Sequence, residues 1–295
     1  MTVDVGVVIR PQSPPESFPV LFRHAEAVGL EQVWLWEDCF LEGGVASAAT
    51  ALAGTQRLVV GLGLLPVPLR NVAATAMEIA TLDRMHGSRF RVAVGHGVQD
   101  WMGQVGARAA SPLSLMREYL TALRTLLAGE VVSMDGDYVR LSEVALDWPP
   151  TTPTRILMGA AGPKSLALAG EAADGVVIME DTSPDALRSA LTSVQEGRER
   201  AGRQDPFDVV VYLRAYRGPD AQAQLLRDGK HATGNFGVGL SATTVRQAVA
   251  DLAGAGATTV VLVPAGDDGS PREYLDAAAS AFSDMVKADA AASGG

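Results

Sequence analysis

The stretch Arg155–Met179, RILMGAAGPKSLALAGEAADGVVIM, decides how the rest of the chain is read. It divides into a short apolar strand (Arg155–Met158), the loop Gly159-Ala160-Ala161-Gly162-Pro163-Lys164, a helix from Ser165, a stop at Asp174-Gly175 and a second apolar strand, Val176–Met179. Strands without polar alternation are buried on both faces, and two of them joined by a helix form a βαβ unit of a parallel sheet. In the loop, Gly159 and Gly162 let the backbone approach a ligand, Pro163 presets φ, and the unbonded amides of the helix start direct partial positive charge at an anion. Lys164 adds a full charge there. The same residues also serve an ordinary strand-to-helix turn, so the loop by itself reads either as a phosphate cradle or as punctuation.

The same alternation continues on both sides. Val3–Ile9, Gln32–Trp36, Leu58–Leu64 and Phe90–Val94 are apolar strands upstream; Asp208–Leu213 and Thr259–Val263 follow downstream. Helices intervene over Phe18–Val28, an alanine-rich stretch ending near Gly54, Ala73–Met85, Ser183–Gly202, Ser241–Gly256 and Pro271–Lys287. The pattern breaks once: a helix over Pro112–Ala128 and a hairpin around Asp135-Gly136 form an insertion, about residues 102–153, between strands four and five. Eight strand units, without a G-x-G-x-x-G after the first, point to a (β/α)₈ TIM barrel. It is expected to be one domain over residues 1–288 with a flexible tail at 289–295. The glycine-containing segment Arg217–Leu240 is a candidate lid.

Composition narrows the function. A formal net charge of −10 over 295 residues disfavours nucleic acid and anionic membrane surfaces as partners. The single cysteine, Cys39, rules out an internal disulfide and a multi-cysteine zinc site, and no H-x-x-x-H or comparable metal spacing occurs. With no run of about 20 apolar residues and no leader-like opening, the expectation is a cytoplasmic protein without bound metal.

Barrel active sites gather where strands end. Strand one delivers Arg10 and Gln12; strand two Glu37, Asp38 and Cys39; strand three Gly61-Leu62-Gly63; strand four Gly95, His96 and Gln99; strand six Glu180 and Asp181; strand seven Arg214. Adjacent carboxylates in a partly apolar mouth push at least one pKa upward, which makes a carboxyl group a proton donor near neutral pH. Asp38 is the first candidate for that role, His96 stands beside it, and Glu37 either shares the chemistry or is structural. Cys39 lacks an adjacent base and reads as a small buried thiol. Trp36, Trp101 and Leu62 are candidate apolar walls. Arg10 and Arg214 either meet an anionic part of a ligand or form ion pairs.

Taken in order, AEAVGLEQVWLWEDCF, the proline loop after strand three, MEIATLDRMHGSRFRVAVGHGVQDWM, DGDYVRLSEVALDWPP and MGAAGPKSLALAGEAADGVV resemble the luciferase-like monooxygenase superfamily over nearly the whole chain. The similarity is greatest to its deazaflavin (F420)-dependent oxidoreductase branch. The resemblance implies coenzyme F420, or FMN as the alternative, at the barrel mouth. Asp38, Cys39, Gly61, Leu62, Gly63, Gly95, His96 and Gln99 would then lie around the ring, with Gly159, Ala160, Ala161, Gly162, Pro163 and Lys164 holding the phosphate. It also implies a non-proline cis peptide in the strand-three bulge, expected at Leu62–Gly63. A small organic substrate, a homodimer and a separate reductase supplying reduced cofactor complete what the resemblance implies. Sugar-phosphate members carry histidine where Cys39 stands and glutamate where Val98 stands, so the substrate is expected to differ. Rival readings are an FMN-dependent monooxygenase and a barrel that binds a phosphorylated ligand without redox chemistry.

Overall fold

A computed structural model describes residues 3–218, 220, 223–224, 237–265 and 270–293, with side chains in the last helix described as far as 285. Strands β1 (Asp4–Val8), β2 (Gln32–Leu35), β3 (Val59–Pro66) and β4 (Phe90–Gly95) alternate with helices α1 (Phe18–Ala27), α2 (Gly44–Gly54) and α3 (Val72–His86). The insertion follows as α4 (Gln99–Gln104), α5 (Pro112–Leu127) and an antiparallel hairpin of β5 (Val132–Asp135) and β6 (Arg140–Val144). The alternation resumes with β7 (Ile156–Gly159), α6 (Pro163–Ala172), β8 (Gly175–Ile178), α7 (Pro184–Arg200) and β9 (Asp208–Tyr216). It ends with β10 (Gly237–Gly239), α8 (Ala242–Gly254), β11 (Thr259–Ala265) and α9 (Pro271–Ser293). The pairing order β9-β11-β1-β2-β3-β4-β7-β8, closed by β8 on β9, is a parallel eight-stranded barrel. β10 adds to β9 at Arg214–Tyr216, above the end of β8.

The barrel expected from the alternation is therefore present, with the insertion in the expected gap. Two expectations differ. α4 was not foreseen, because six residues inside a glycine-containing loop leave no periodic signal. α9 runs to Ser293 rather than stopping at Lys287, since the alanine-rich end that reads as a tail has high helix propensity. Most of Arg217–Leu240, including the part on which a lid would rest, lies outside the described residues.

Strand side chains alternate between two cores. Val33, Leu35, Val60, Leu62 and Val92 face the helices, whereas Val8, Trp34, Ala93, Leu157, Val177, Val210 and Tyr212 fill the barrel. The filling dictates the glycines of β3. A Cβ on Gly61 would lie 2.2 Å from the Trp34 ring, and one on Gly63 would lie 2.4 Å from the Tyr212 hydroxyl. Trp34 and Tyr212 meet edge to face at 6.1 Å, and the Tyr212 hydroxyl donates to the Gly63 carbonyl at 2.8 Å. β3 shifts register against β4 between Gly63 and Leu65, leaving Leu64 as the extra residue of the bulge. The cis peptide is accordingly Gly63–Leu64, one residue beyond the expected position, and a second cis bond joins Cys39 and Phe40.

The organising unit is held by close packing. A Cβ on Gly170 of α6 would lie 2.0 Å from the Val194 carbonyl of α7, and one on Gly197 of α7 would lie 1.9 Å from the Ala167 carbonyl of α6. The two helix backbones touch through reciprocal glycines, which fixes where α6 begins. Beneath, Asp174 accepts from the Ile156 amide at 3.0 Å and pairs with Arg203 and Arg124, each at 2.9 Å.

Candidate functional site

At the carboxyl ends of β2, β3, β4, β7 and β8 lies a cavity of about 360 Å³. Its two sides come from different physical sources. One side is the start of α6. Helices α3, α5, α7 and α8 are capped by the side chains of Asn71, Ser111, Ser183 and Ser241, but Gly162, the residue capping α6, has no side chain to give. The first-turn amides of α6 are thus open to an anion. Gly162 also has open space where a Cβ would stand. Gly159, Ala160, Ala161, Gly162 and Ser165 line the cavity here; Pro163 and Lys164 are exposed on its outer rim. The opposite side carries Asp38 with Trp36, while Leu64, Pro66, Val98, Trp101 and Met179 supply apolar wall.

Asp38 has its pKa raised, first by burial and further by the nearby Glu180, with Arg10 opposing. It is a carboxyl group inclined to hold a proton. The Glu180 Oε2 is buried without a hydrogen-bond partner, and its other oxygen lies 3.8 Å from Arg214, which pairs more closely with Asp181 at 2.8 Å. His96 Nε2 and Ser165 Oγ share a hydrogen bond of 3.0 Å, tying the β4 loop to the first turn of α6. Burial pushes the His96 pKa down, against the Pro112 carbonyl, so the imidazole is neutral around pH 7.

Of the residues expected at the site, Glu37 is held by other partners, and Gly61, Leu62, Gly95, Gln99 and Cys39 are not among those lining this cavity. Glu37 touches the cavity, but both its oxygens are engaged: Oε2 accepts from the Gly44 amide at 2.7 Å and from Arg70 at 2.8 Å, and Oε1 from Arg70 Nε at 3.2 Å. It caps the start of α2 and anchors the β2 loop through Arg70. Gly61 lies under Trp34, and Leu62 faces the helix layer, fully buried, so neither lines the cavity. Gly95 is likewise beneath it: Leu64 would meet a Cβ on Gly95 or Gly159 at 2.4 and 2.3 Å. These glycines make room for the apolar back wall. Gln99 donates to the His96 and Gly97 carbonyls, each at 3.3 Å, and holds the loop instead of the cavity. Cys39 lies outside the lining, and burial together with Glu37 and Asp38 raises its pKa, keeping the thiol neutral. Gly63, Asp38, His96, Ala160 and Ala161, by contrast, line the cavity.

Leu64, Pro66, Ser165 and Met179 line the cavity without having been singled out. Ser165 carried a readable signal, a hydroxyl three residues past the uncapped glycine; the others follow only from the bulge. Among the described residues no group of histidine, cysteine and carboxylate side chains could hold a metal ion, and no helix is long and apolar enough to cross a membrane.

The family model described as luciferase-like monooxygenase matches residues 3–228. A 5,10-methylenetetrahydromethanopterin reductase of Methanolobus tindarius is 34% identical over 207 residues, 70% of this chain and 62% of that protein. An F420-dependent glucose-6-phosphate dehydrogenase of Nakamurella multipartita is 28% identical over 222 residues, 69% of this chain and 64% of that one. The matches thus span less than two thirds of these relatives' length. Among solved structures, an F420-dependent secondary alcohol dehydrogenase in complex with an F420-acetone adduct superposes with a TM-score of 0.85 at 19% identity, over 97% of this chain and 99% of that one. The coenzyme F420-dependent tetrahydromethanopterin reductase of Methanopyrus kandleri gives 0.78 at 22%, over 95% and 98%. At such identities the likeness is one of fold.

Proposed function

The chain belongs to the luciferase-like monooxygenase family, and from that premise we propose that it is an oxidoreductase transferring a hydride between coenzyme F420 and a small organic substrate at the barrel mouth. The observation that carries this reading is the pairing, across one cavity, of an uncapped helix start with a carboxyl group that burial inclines to keep its proton. The names of the similar reductase and dehydrogenase point the same way.

The residues fit such a coenzyme. A planar ring needs an apolar slot, which Leu64, Pro66, Val98 and Trp101 supply; a phosphorylated tail needs donors, which the open amides after Gly162, the Ser165 hydroxyl and the Lys164 ammonium supply. When bound, the deazaflavin supplies or accepts a hydride at ring carbon 5. The chain contributes the rest. Asp38 holds a proton on its carboxyl and delivers it to the substrate atom that gains negative charge. Glu37, locked by Arg70 and the Gly44 amide, keeps the Asp38 loop in place. His96, neutral and bonded to Ser165, holds the α6 start against the β4 loop. Trp36, Met179 and the apolar wall exclude water. Cytoplasmic location, a homodimer and a separate reductase that recharges the coenzyme belong to the same proposal.

Fluorescence titration of the purified protein with F420 and, in parallel, with FMN tests it. Tight F420 binding that weakens in Ser165→Ala and Lys164→Ala is the expected result. Preference for FMN would move the reading to an FMN-dependent monooxygenase, and binding of neither would end both.

A further inference from the structure

The ends of β1 and β11, neighbours in the barrel, enclose a second cavity with the start of α9. It measures about 350 Å³ and shares no lining residue with the first. Arg10, Gln12, Ser13 and Ser270 give it polar groups, and Ile9 and Leu275 an apolar back.

Arg10 is the feature that calls for a ligand. Its hydrogen bonding among the described residues amounts to Nη1 donating to the Pro264 carbonyl at 3.5 Å, the outer limit of such a bond. Its Nε is buried and has no partner. A buried guanidinium N–H left bare is unfavourable unless something binds there. The Nε–Nη2 edge presents two parallel donors, the geometry that a carboxylate matches with its two oxygens. α9 begins at the cavity, the Tyr274 amide closing its first turn on the Ser270 carbonyl at 3.2 Å, so its leading amides add partial positive charge. Arg10 is the one full cation among the described lining residues, and it matches a single negative charge.

We propose that this cavity is a carboxylate subsite: the substrate carries a carboxylate that docks on the guanidinium of Arg10. This deepens the reading above and rests on it for the identity of the reacting site. The two groups are electrostatically linked, because the Arg10 charge lowers the Asp38 pKa. An anion on Arg10 opposes that influence and moves the Asp38 pKa further upward, so any ionised fraction of Asp38 binds protons with the carboxylate.

The test needs no coenzyme. The purified protein is titrated calorimetrically with sodium propionate, with inorganic phosphate and with acetone as the uncharged counterpart, in buffers of differing ionisation heat. The expected result is saturable propionate binding in the millimolar range, weaker by about tenfold or more in Arg10→Gln. Arg10→Lys, which keeps the charge but loses the fork, falls between. Binding draws protons from the buffer, and that uptake disappears in Asp38→Asn. Thermal melts identify a variant that has failed to fold, in which case Arg10→Lys carries the comparison. Propionate binding undiminished in both Arg10 variants, no saturable propionate binding by the unaltered protein, or phosphate binding more tightly than propionate would each overturn the proposal. The F420 titration is a separate measurement at a separate cavity, so failure of the coenzyme reading and failure of the subsite are told apart.

Discussion

The two ends of the barrel treat charge in opposite ways. At the amino end, ionic groups are matched: Arg155 pairs with Asp208 at 2.8 Å and also donates to the Asp174 and Pro206 carbonyls. Arg203 joins Asp174 at 2.9 Å to Asp205 at 2.6 Å and holds the Asp205 pKa down to about 2. At the carboxyl end, burial raises the Asp38 pKa, Glu180 Oε2 and Arg10 Nε have no partner, and α6 starts without a side-chain cap. Both ends hold ion pairs, Arg70–Glu37 and Arg214–Asp181 at the carboxyl end included, but unpaired charged groups beside a cavity gather at the carboxyl end, where the proposed ligands would bind. Thr154 Oγ1 and Arg198 Nη1 are the buried atoms near the amino end that lack partners, and Arg198 is compensated by stacking on Phe207 at 4.9 Å.

That division can be broken from either side. The largest effect is expected from Asp38→Asn, which keeps shape but removes the transferable proton: turnover should fall by about 10³-fold while F420 affinity changes little. In the unaltered enzyme, turnover in the direction that consumes a proton should decline as pH rises through the raised Asp38 pKa, and this limb should vanish in the variant. Next is Asp174→Ala at the opposite end. It strips Arg203 and Arg124 of a buried partner and the Ile156 amide of its acceptor, so urea unfolding should show a loss of about 3 kcal/mol. Coenzyme affinity should hold; a matching drop would mean that the two ends are not separable.

Smaller changes sharpen the picture at the cradle. His96→Ala should weaken coenzyme binding about fivefold, the equivalent of one hydrogen bond, and Gln in its place should restore part of it. Because burial lowers the His96 pKa, its positive charge appears beside the cradle only as pH falls below the ordinary histidine range. Binding of the phosphorylated tail should tighten there in the unaltered protein and not in the Gln variant. Lys164→Ala should cost least, about two- to threefold, and its effect should fade with added salt, since the side chain is exposed.

The barrel was legible because eight strands buried on both faces leave continuous apolar runs, and the Gly159 to Lys164 turn because it is bounded by a strand and a helix. What could not be read is which way a residue faces and whom it meets far along the chain. Gly61 and Gly63 look alike in sequence, yet one lies beneath Trp34 and the other opens on the cavity, and Gly95 serves only to admit Leu64. Glu37 and Asp38 are neighbours with similar chemistry. Arg70, 33 positions from Glu37, engages one of them in an ion pair, and nothing local announces it. Ser165 reached the site through His96, 69 positions away.

The hydrogen bond from Tyr212 to Gly63 has a mechanical meaning. β9 and β3 stand four places apart in a ring of eight, so this one bond crosses the full diameter and acts as a strut between opposite walls. The Tyr212 pKa lies far above its usual value because the phenol is wholly buried, so the strut does not slacken when the solution becomes alkaline. Tyr212 stands two residues before Arg214, which holds Asp181 at 2.8 Å, so the strut across the barrel and the ion pair on its rim are carried by the same strand.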